Sequence, residues 1–483
     1  MNTPIRRVAV VAFVLFAMLL ISTTMIQYVN AGTLNADGRN SRTLIDELSR
    51  ERGTISAGDK TLVTSEPVDD VYKFQRTYAD PAVYAPVTGY YSLVYGATGI
   101  EGAESQKLAG TSDEQFYRRL SDIVSGREPA GASVQLTIRP EVQQTAYDSL
   151  GSQRGAVVAL DPKTGDILAM VSRPSYDPNV LASHDRAEVT AAWDELNADE
   201  GQPLVNRAIS GDLYPPGSTF KVVTSAAALE SGTYTEDTLL PGPAVLDLPQ
   251  TSRGLSNDNG QACGSGQVTL LNALRVSCNT AFGYLGMQLG GDALNSQANK
   301  FGFEQDLRIP MRVTPSTIPD DLNEPQEAQT AIGQYETRVT PLQMAMVAAG
   351  VANDGEVMRP QLIEKVVADN LDVLDEPSPS SLGRAVSPET AASLTTMMEA
   401  VVNSGTGTNA QISGVKVAGK TGTAQHATGQ APHAWFISFA PADDPQVAVA
   451  VVVENGGDAG DAASGGRTAA PIARAVMQAV MNE

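Results

Sequence analysis

Pro215-Pro216-Gly217-Ser218-Thr219-Phe220-Lys221 is the stretch on which the reading of the chain turns. Two prolines and a glycine make a rigid turn, and residues 220–229 that follow carry the apolar pattern of a helix. A helix that starts near Ser218 puts Lys221 one turn later on the same face, within reach of the serine hydroxyl. A hydroxyl is a poor nucleophile until a neighbour takes its proton, and a lysine does so only where burial or nearby positive charge lowers its pKa toward neutrality. Taken alone the stretch has a plainer reading, a helix N-cap beside a solvated lysine. Ser413-Gly414-Val415-Lys416 repeats the spacing, but it runs into a strand-like segment, where positions three apart face opposite sides.

Two further elements follow in order and favour chemistry. Ser277-Cys278-Asn279 comes about 59 residues after Ser218, behind a helical approach over 270–275. Lys420-Thr421-Gly422-Thr423 comes about 202 residues after it, just beyond a strand-like run at 415–418 and ahead of a strand at 434–439. Lys163-Thr164-Gly165 repeats the last motif, but it precedes the serine and reads as a plain hairpin turn.

Around these motifs the chain divides. Residues 155–161 and 166–172 are two apolar runs joined by Pro162-Lys163-Thr164-Gly165, the pattern of a hairpin. A strand at 134–138 and a helix from Pro140 to Leu150 lead into it. The middle, 182–352, is rich in helical patterns that include 341–351, and strands return at 434–439 and 446–454 before a last helix at 471–481. Strands at both ends with helices between them predict an α+β domain over 131–483, its antiparallel sheet assembled from distant segments. Residues 29–130, polar and turn-rich, read as a small β-rich N-terminal module, and 375–388 and 455–466 as exposed loops.

The N-terminus carries an address. After a tail at 1–7 that ends in Arg6 and Arg7, residues 8–26 are uncharged and apolar and span about 28 Å as a helix, the thickness of a bilayer core. We read 8–28 as a retained transmembrane signal-anchor; Val29-Asn30-Ala31 leaves cleavage open. Arg6 and Arg7 before the run and Asp37, Asp46 and Glu47 after it place the body of the chain outside the cytoplasm. The net charge of −22 argues against nucleic acid as a partner. Three histidines and two cysteines without ligand spacing point to no metal and no cofactor. Cys263 and Cys278, the only cysteines of an exported chain, are candidates for a disulfide across the Gly264-Ser265-Gly266 turn; two buried free thiols are the alternative.

Taken together, Ser218-Thr219-Phe220-Lys221, Ser277-Cys278-Asn279 and Lys420-Thr421-Gly422-Thr423 resemble the active-site motifs of the class B penicillin-binding proteins. The flanking text agrees: Asp161-Pro162-Lys163-Thr164-Gly165-Asp166, Val339-Thr340-Pro341-Leu342-Gln343 and Ala434-Trp435-Phe436-Ile437-Ser438 are similar to the family's first hairpin, helical core and third-motif strand. The resemblance covers about 130–483, and the preceding module resembles the family's non-catalytic N-terminal region. It implies a transpeptidase fold of the serine β-lactamase-like kind and a D,D-transpeptidase acting on D-Ala-D-Ala stem peptides of peptidoglycan, open to covalent inhibition by β-lactams. In that frame Ser218 is the nucleophile, Lys221 its base and Ser277 a proton relay. Asn279 would hydrogen-bond the peptide, Lys420, Thr421, Gly422 and Thr423 would hold the terminal carboxylate, and the N–H groups of Ser218 and Thr423 would form an oxyanion hole. It also implies a membrane glycosyltransferase of the shape, elongation, division and sporulation type as partner. A D,D-carboxypeptidase, or a silent β-lactam sensor or scaffold, is the rival expectation. Two positions depart from the family pattern: Cys278 within the second motif, and Tyr335 in Gly333-Gln334-Tyr335, where many relatives have Gly-Gln-Gly.

Overall fold

The computed structural model describes residues 2–29, 49–112, 115, 130–426 and 429–482. Its catalytic half is built on a five-stranded antiparallel sheet in the order Ala418–Ala424, His433–Ala440, Val447–Val453, Gly155–Leu160, Ile167–Arg173. Val447–Val453 reads Val-Ala-Val-Ala-Val-Val-Val and is buried throughout, because both faces of the sheet are covered. The helices Pro140–Leu150 and Ala470–Asn482 pack together on one face. Pro341–Ala352, apolar except for Gln343 and almost wholly buried, lies against the other. A helix with no polar face belongs in a core, and this one fills the space between the sheet and the helical subdomain.

The expected α+β architecture is observed, with two differences in detail. The Lys420 motif was expected just after a strand; it lies inside Ala418–Ala424, at the sheet's edge. Glycines and a lysine break the apolar alternation there because one side of the strand serves the cleft. The N-terminal module is also less separate than a boundary at 130 implies. Its six-stranded sheet runs Val373–Asp375, Ile363–Val367, Ser133–Leu136, Ile55–Ala57, Lys60–Pro67, Phe74–Tyr78, so three strands come from beyond that boundary. Ser133–Leu136 pairs in parallel with Ile55–Ala57 and antiparallel with Ile363–Val367, which stitches the module to the catalytic half.

At the N-terminus a helix runs over Asn2–Thr24 and continues as a π turn to Val29. Its span Thr3–Tyr28 has a mean hydropathy of 2.5 and is not covered by the other described residues. The acidic positions Asp37, Asp46 and Glu47 and the cleavage-like Asn30-Ala31 lie outside the described residues.

Candidate active site

Ser218 sits in a 3-10 turn, Gly217–Phe220, that passes into the α-helix Lys221–Glu230. In a 3-10 turn residues i and i+3 eclipse, so the tighter winding sets Lys221 beneath Ser218 more directly than an α-helix would. The turn is fastened from two sides. Gly217 N–H donates to Gly333 O at 2.9 Å, and Trp435 Nε1 donates to Pro215 O at 3.1 Å. A Cβ on Gly333 would lie 2.1 Å from Gly217 O, and Gly333 has a positive φ of 72°, so only glycine fits. Tyr335 also has positive φ, 62°, a conformation in which glycine is the residue without strain.

Ser277 joins two helices, Leu270–Val276 and Asn279–Leu289, in a left-handed conformation with φ 61° and ψ 43°. A non-glycine residue held so costs on the order of 1 kcal/mol, and here it turns the hydroxyl into the cleft between two lysines. Cys278 follows at once and is joined to Cys263 by a disulfide, with 6.2 Å between Cα atoms. The bridge ties the Ser277 junction to the turn at Cys263.

The lysines define the site's electrostatics. Lys221 Nζ donates to Asn279 Oδ1 at 2.6 Å, to Ser277 O at 2.9 Å and to Ser277 Oγ at 3.3 Å. Lys420 Nζ donates to Ser277 Oγ at 2.9 Å and to Thr421 O at 2.8 Å. Both side chains are fully buried. Burial pushes Lys221 down to about 7, against the opposing charge of Asp258. Burial also pushes Lys420 far below the usual lysine range, and the charge of Lys221 adds to the effect. Thr421 Oγ1 and Thr406 Oγ1 lie 2.6 Å apart.

Ser218, Ser277, Thr421 and Thr423 line one cleft of about 480 Å³, with Asp258 and Ser464 on its rim. The structure brings the three motifs together. Gly422 faces Trp435, Pro216 and Thr219, where a Cβ would come within 3.0 Å of each, so the strand and the serine turn touch there. The two decoys stand apart: Lys163 pairs with Asp444 and Lys416 with Asp443 on the surface. Sequence reasoning missed Asp258, Thr406 and the Trp435 tether. Asp258 lies in a polar turn-like stretch, Ser256-Asn257-Asp258-Asn259-Gly260, with no motif to mark it.

A serine at the head of a buried helix, a buried lysine of lowered pKa one turn on, and a second serine between two lysines define an enzyme that forms an acyl-enzyme on serine. Comparison with known proteins carries the identification further. The penicillin binding protein transpeptidase domain family matches residues 155–478, and the penicillin binding protein A dimerisation domain family matches 52–134. The chain is 48 % identical to the peptidoglycan D,D-transpeptidase PbpA of Mycolicibacterium smegmatis over 493 residues, covering 100 % of both chains. It is 45 % identical to that of Mycobacterium tuberculosis over 491 residues, 100 % of this chain and 99 % of the other. Among solved structures, penicillin-binding protein A from M. tuberculosis in its penicillin G acyl-enzyme complex aligns with a TM-score of 0.85 at 45 % identity, covering 89 % of this chain and 100 % of that one. The imipenem acyl-enzyme complex aligns at 0.86 and 44 %, over 90 % and 100 %. The chain belongs to the penicillin-binding protein transpeptidase family, as a serine D,D-transpeptidase.

Proposed function

We propose that the chain cross-links peptidoglycan through an acyl-enzyme on Ser218. The observation that carries the assignment is the coincidence of Ser218 with the buried Lys221, its pKa lowered by burial, one 3-10 turn on. Ser218 Oγ attacks the carbonyl of the penultimate D-Ala of a donor stem peptide while Lys221 takes the hydroxyl proton. Ser277, in contact with both amines, passes a proton to the nitrogen of the departing D-Ala. An acceptor amine then attacks the ester carbonyl and releases Ser218. None of the hydrogen bonds of Lys221 given above goes to Ser218, and such contacts commonly tighten only in the complex. Backbone N–H groups of Ser218 and Thr423 would receive the oxyanion. The terminal carboxylate would lie against Thr421, Gly422 and Thr423 beside Lys420; a bound anion there favours the ammonium form that burial otherwise suppresses. Asn279 borders the peptide from the second motif. β-Lactams acylate the same serine because their strained amide takes the place of D-Ala-D-Ala.

We assign 1–7 to a cytoplasmic tail, 8–28 to a single membrane span, 29–130 to a non-catalytic pedestal and 131–483 to the transpeptidase domain held outside the cytoplasmic membrane. The helix Asn2–Thr24, 23 residues and about 35 Å at 1.5 Å per residue, is long enough to cross a bilayer core, and Arg6 and Arg7 lie near its start, ahead of its apolar run. An enzyme that joins peptides but makes no glycan works beside one that does, so the partner we assign is a membrane glycosyltransferase of the shape, elongation, division and sporulation type. Labelling with a fluorescent penicillin tests the site: the wild-type chain should be labelled covalently and Ser218→Ala not at all. Persistent labelling of that variant would place the nucleophile elsewhere.

A further inference from the structure

Asp258 follows the short strand Leu255–Ser256 and is exposed on the rim of the cleft. Its Oδ1 accepts from Asn279 Nδ2 at 2.8 Å, and the same amide nitrogen donates to Ser256 O at 3.3 Å. Both partners are acceptors only, so they select one orientation of the Asn279 amide, the one that leaves Oδ1 facing Lys221 Nζ at 2.6 Å. Turned over, the amide would present N–H groups to a lysine, which has none but donors when charged. A chain of two hydrogen bonds thus links an exposed carboxylate to the buried base.

Charge points the same way. Lys221 comes from the serine helix and Lys420 from the edge strand, and the ring of Phe282 lies 5.5 Å from Lys221 Nζ. The charge of Lys221 acts on Lys420, and that of Asp258 opposes the effect of burial on both amines. Among the described residues Asp258 forms no ion pair of its own.

We infer that Asp258 is a positioning residue of the acyl-transfer site: it orients Asn279 toward Lys221 and supplies the negative charge that faces the two buried lysines. This rests on Lys221 as the base at Ser218. Removing the charge disfavours the ammonium form of Lys221, so the base stays free at lower pH but becomes weaker. The experiment follows acylation by a fluorescent penicillin from about pH 5 to pH 9, alongside melting temperatures, for wild type, Asp258→Asn and Asp258→Glu. In Asp258→Asn the acid limb should move down by about half a pH unit or more, and the plateau rate should fall several-fold. Asp258→Glu, which keeps charge and acceptor, should return the limb to its wild-type position. Damage that is merely structural lowers the plateau and leaves the limb in place, so an unmoved limb, or one moved upward, would overturn the inference. A flat wild-type profile would overturn the Lys221 reading and this one with it; a wild-type limb that Asp258→Asn leaves unmoved would overturn this one alone.

Discussion

The chain buries two clusters of cations and treats them in opposite ways. In the N-terminal module Arg52 and Arg76 close on Glu101, with Arg52 Nη2 at 2.8 Å and Arg76 Nε at 2.7 Å from its oxygens, and Arg52 also lies 3.9 Å from the centre of the Tyr91 ring. Burial raises Glu101, yet the two guanidiniums pull it below the usual carboxylate range, so its charge is kept. In the catalytic half Lys221 and Lys420 are as deeply buried, but their partners are carbonyl, amide and hydroxyl oxygens, and among the described residues the charge that opposes theirs, Asp258, stands on the rim. A compensated cluster has no reason to exchange protons near neutral pH. An uncompensated one does, and that separates a structural anchor from a proton-transfer site.

Removing the amine of Lys221 tests the comparison most severely. Lys221→Met should slow acylation by about 10²–10⁴-fold, because the hydroxyl loses its base. Its stability should move the other way from that of an ordinary buried-charge deletion. A lysine depressed from 10.5 to about 7 binds fewer protons folded than unfolded between those values, so its contribution to stability rises with pH across that window and is fully unfavourable below it. Replacing it by an apolar side chain relieves that cost, offset by the donors lost to Ser277 O and Asn279 Oδ1. The melting temperature at pH 7 should therefore hold or rise while acylation collapses. A large fall in stability would mean that Lys221 is structural.

Glu101→Ala makes the complementary cut. It strands two buried guanidiniums and should cost about 3–5 kcal/mol. Penicillin acylation measured well below the melting temperature should stay near wild type, since Glu101 belongs to the other cluster. Calorimetry and labelling on the same sample check both halves, and a parallel loss of acylation would show that the module governs the catalytic cleft.

These contrasts were only partly legible in the sequence. The hairpin Gly155–Leu160 to Ile167–Arg173 announces itself through its Pro-Lys-Thr-Gly turn, and Pro341–Ala352 through an apolar text broken only by Gln343. Local signals sufficed because local pairings make those elements. The sheet of the N-terminal module is invisible by the same logic: Ile363–Val367 pairs with Ser133–Leu136 across more than two hundred residues, and nothing in either strand names its partner. In the site, Ser218, Lys221, Ser277, Asn279, Lys420, Thr421 and Thr423 are marked by spacing and order. Asp258 is not, because its role depends on where a turn comes to rest against Asn279. Arg52, Arg76 and Glu101, spread over 52–101, likewise have no motif to join them, and only the fold buries them together.

The smallest of the expected effects sharpens the comparison at its weakest point. In the N-terminal cluster opposite charge itself gathers the groups, whereas in the catalytic cluster the polar partners of the lysines must be held by something else. Ser277 is strained and Asn279 begins a helix; the residue between them, Cys278, is bonded to Cys263, so a covalent link takes the place that Glu101 fills in the module. Closing a loop over a sequence separation of 15 stabilises by about 3 kcal/mol in the chain-entropy model, less if the reduced chain keeps structure. Cys263→Ser combined with Cys278→Ser, or reduction of the native chain, should lower the melting temperature and slow acylation of Ser218 together, as Ser277 and Asn279 lose their fixed place beside Lys221. Thiol titration of unfolded, unreduced protein supplies the control, with no free thiol expected. If stability falls while acylation holds, the bridge serves the fold alone, and the lysines' partners are kept in position by the packing of Leu274, Ala281 and Phe282 around them.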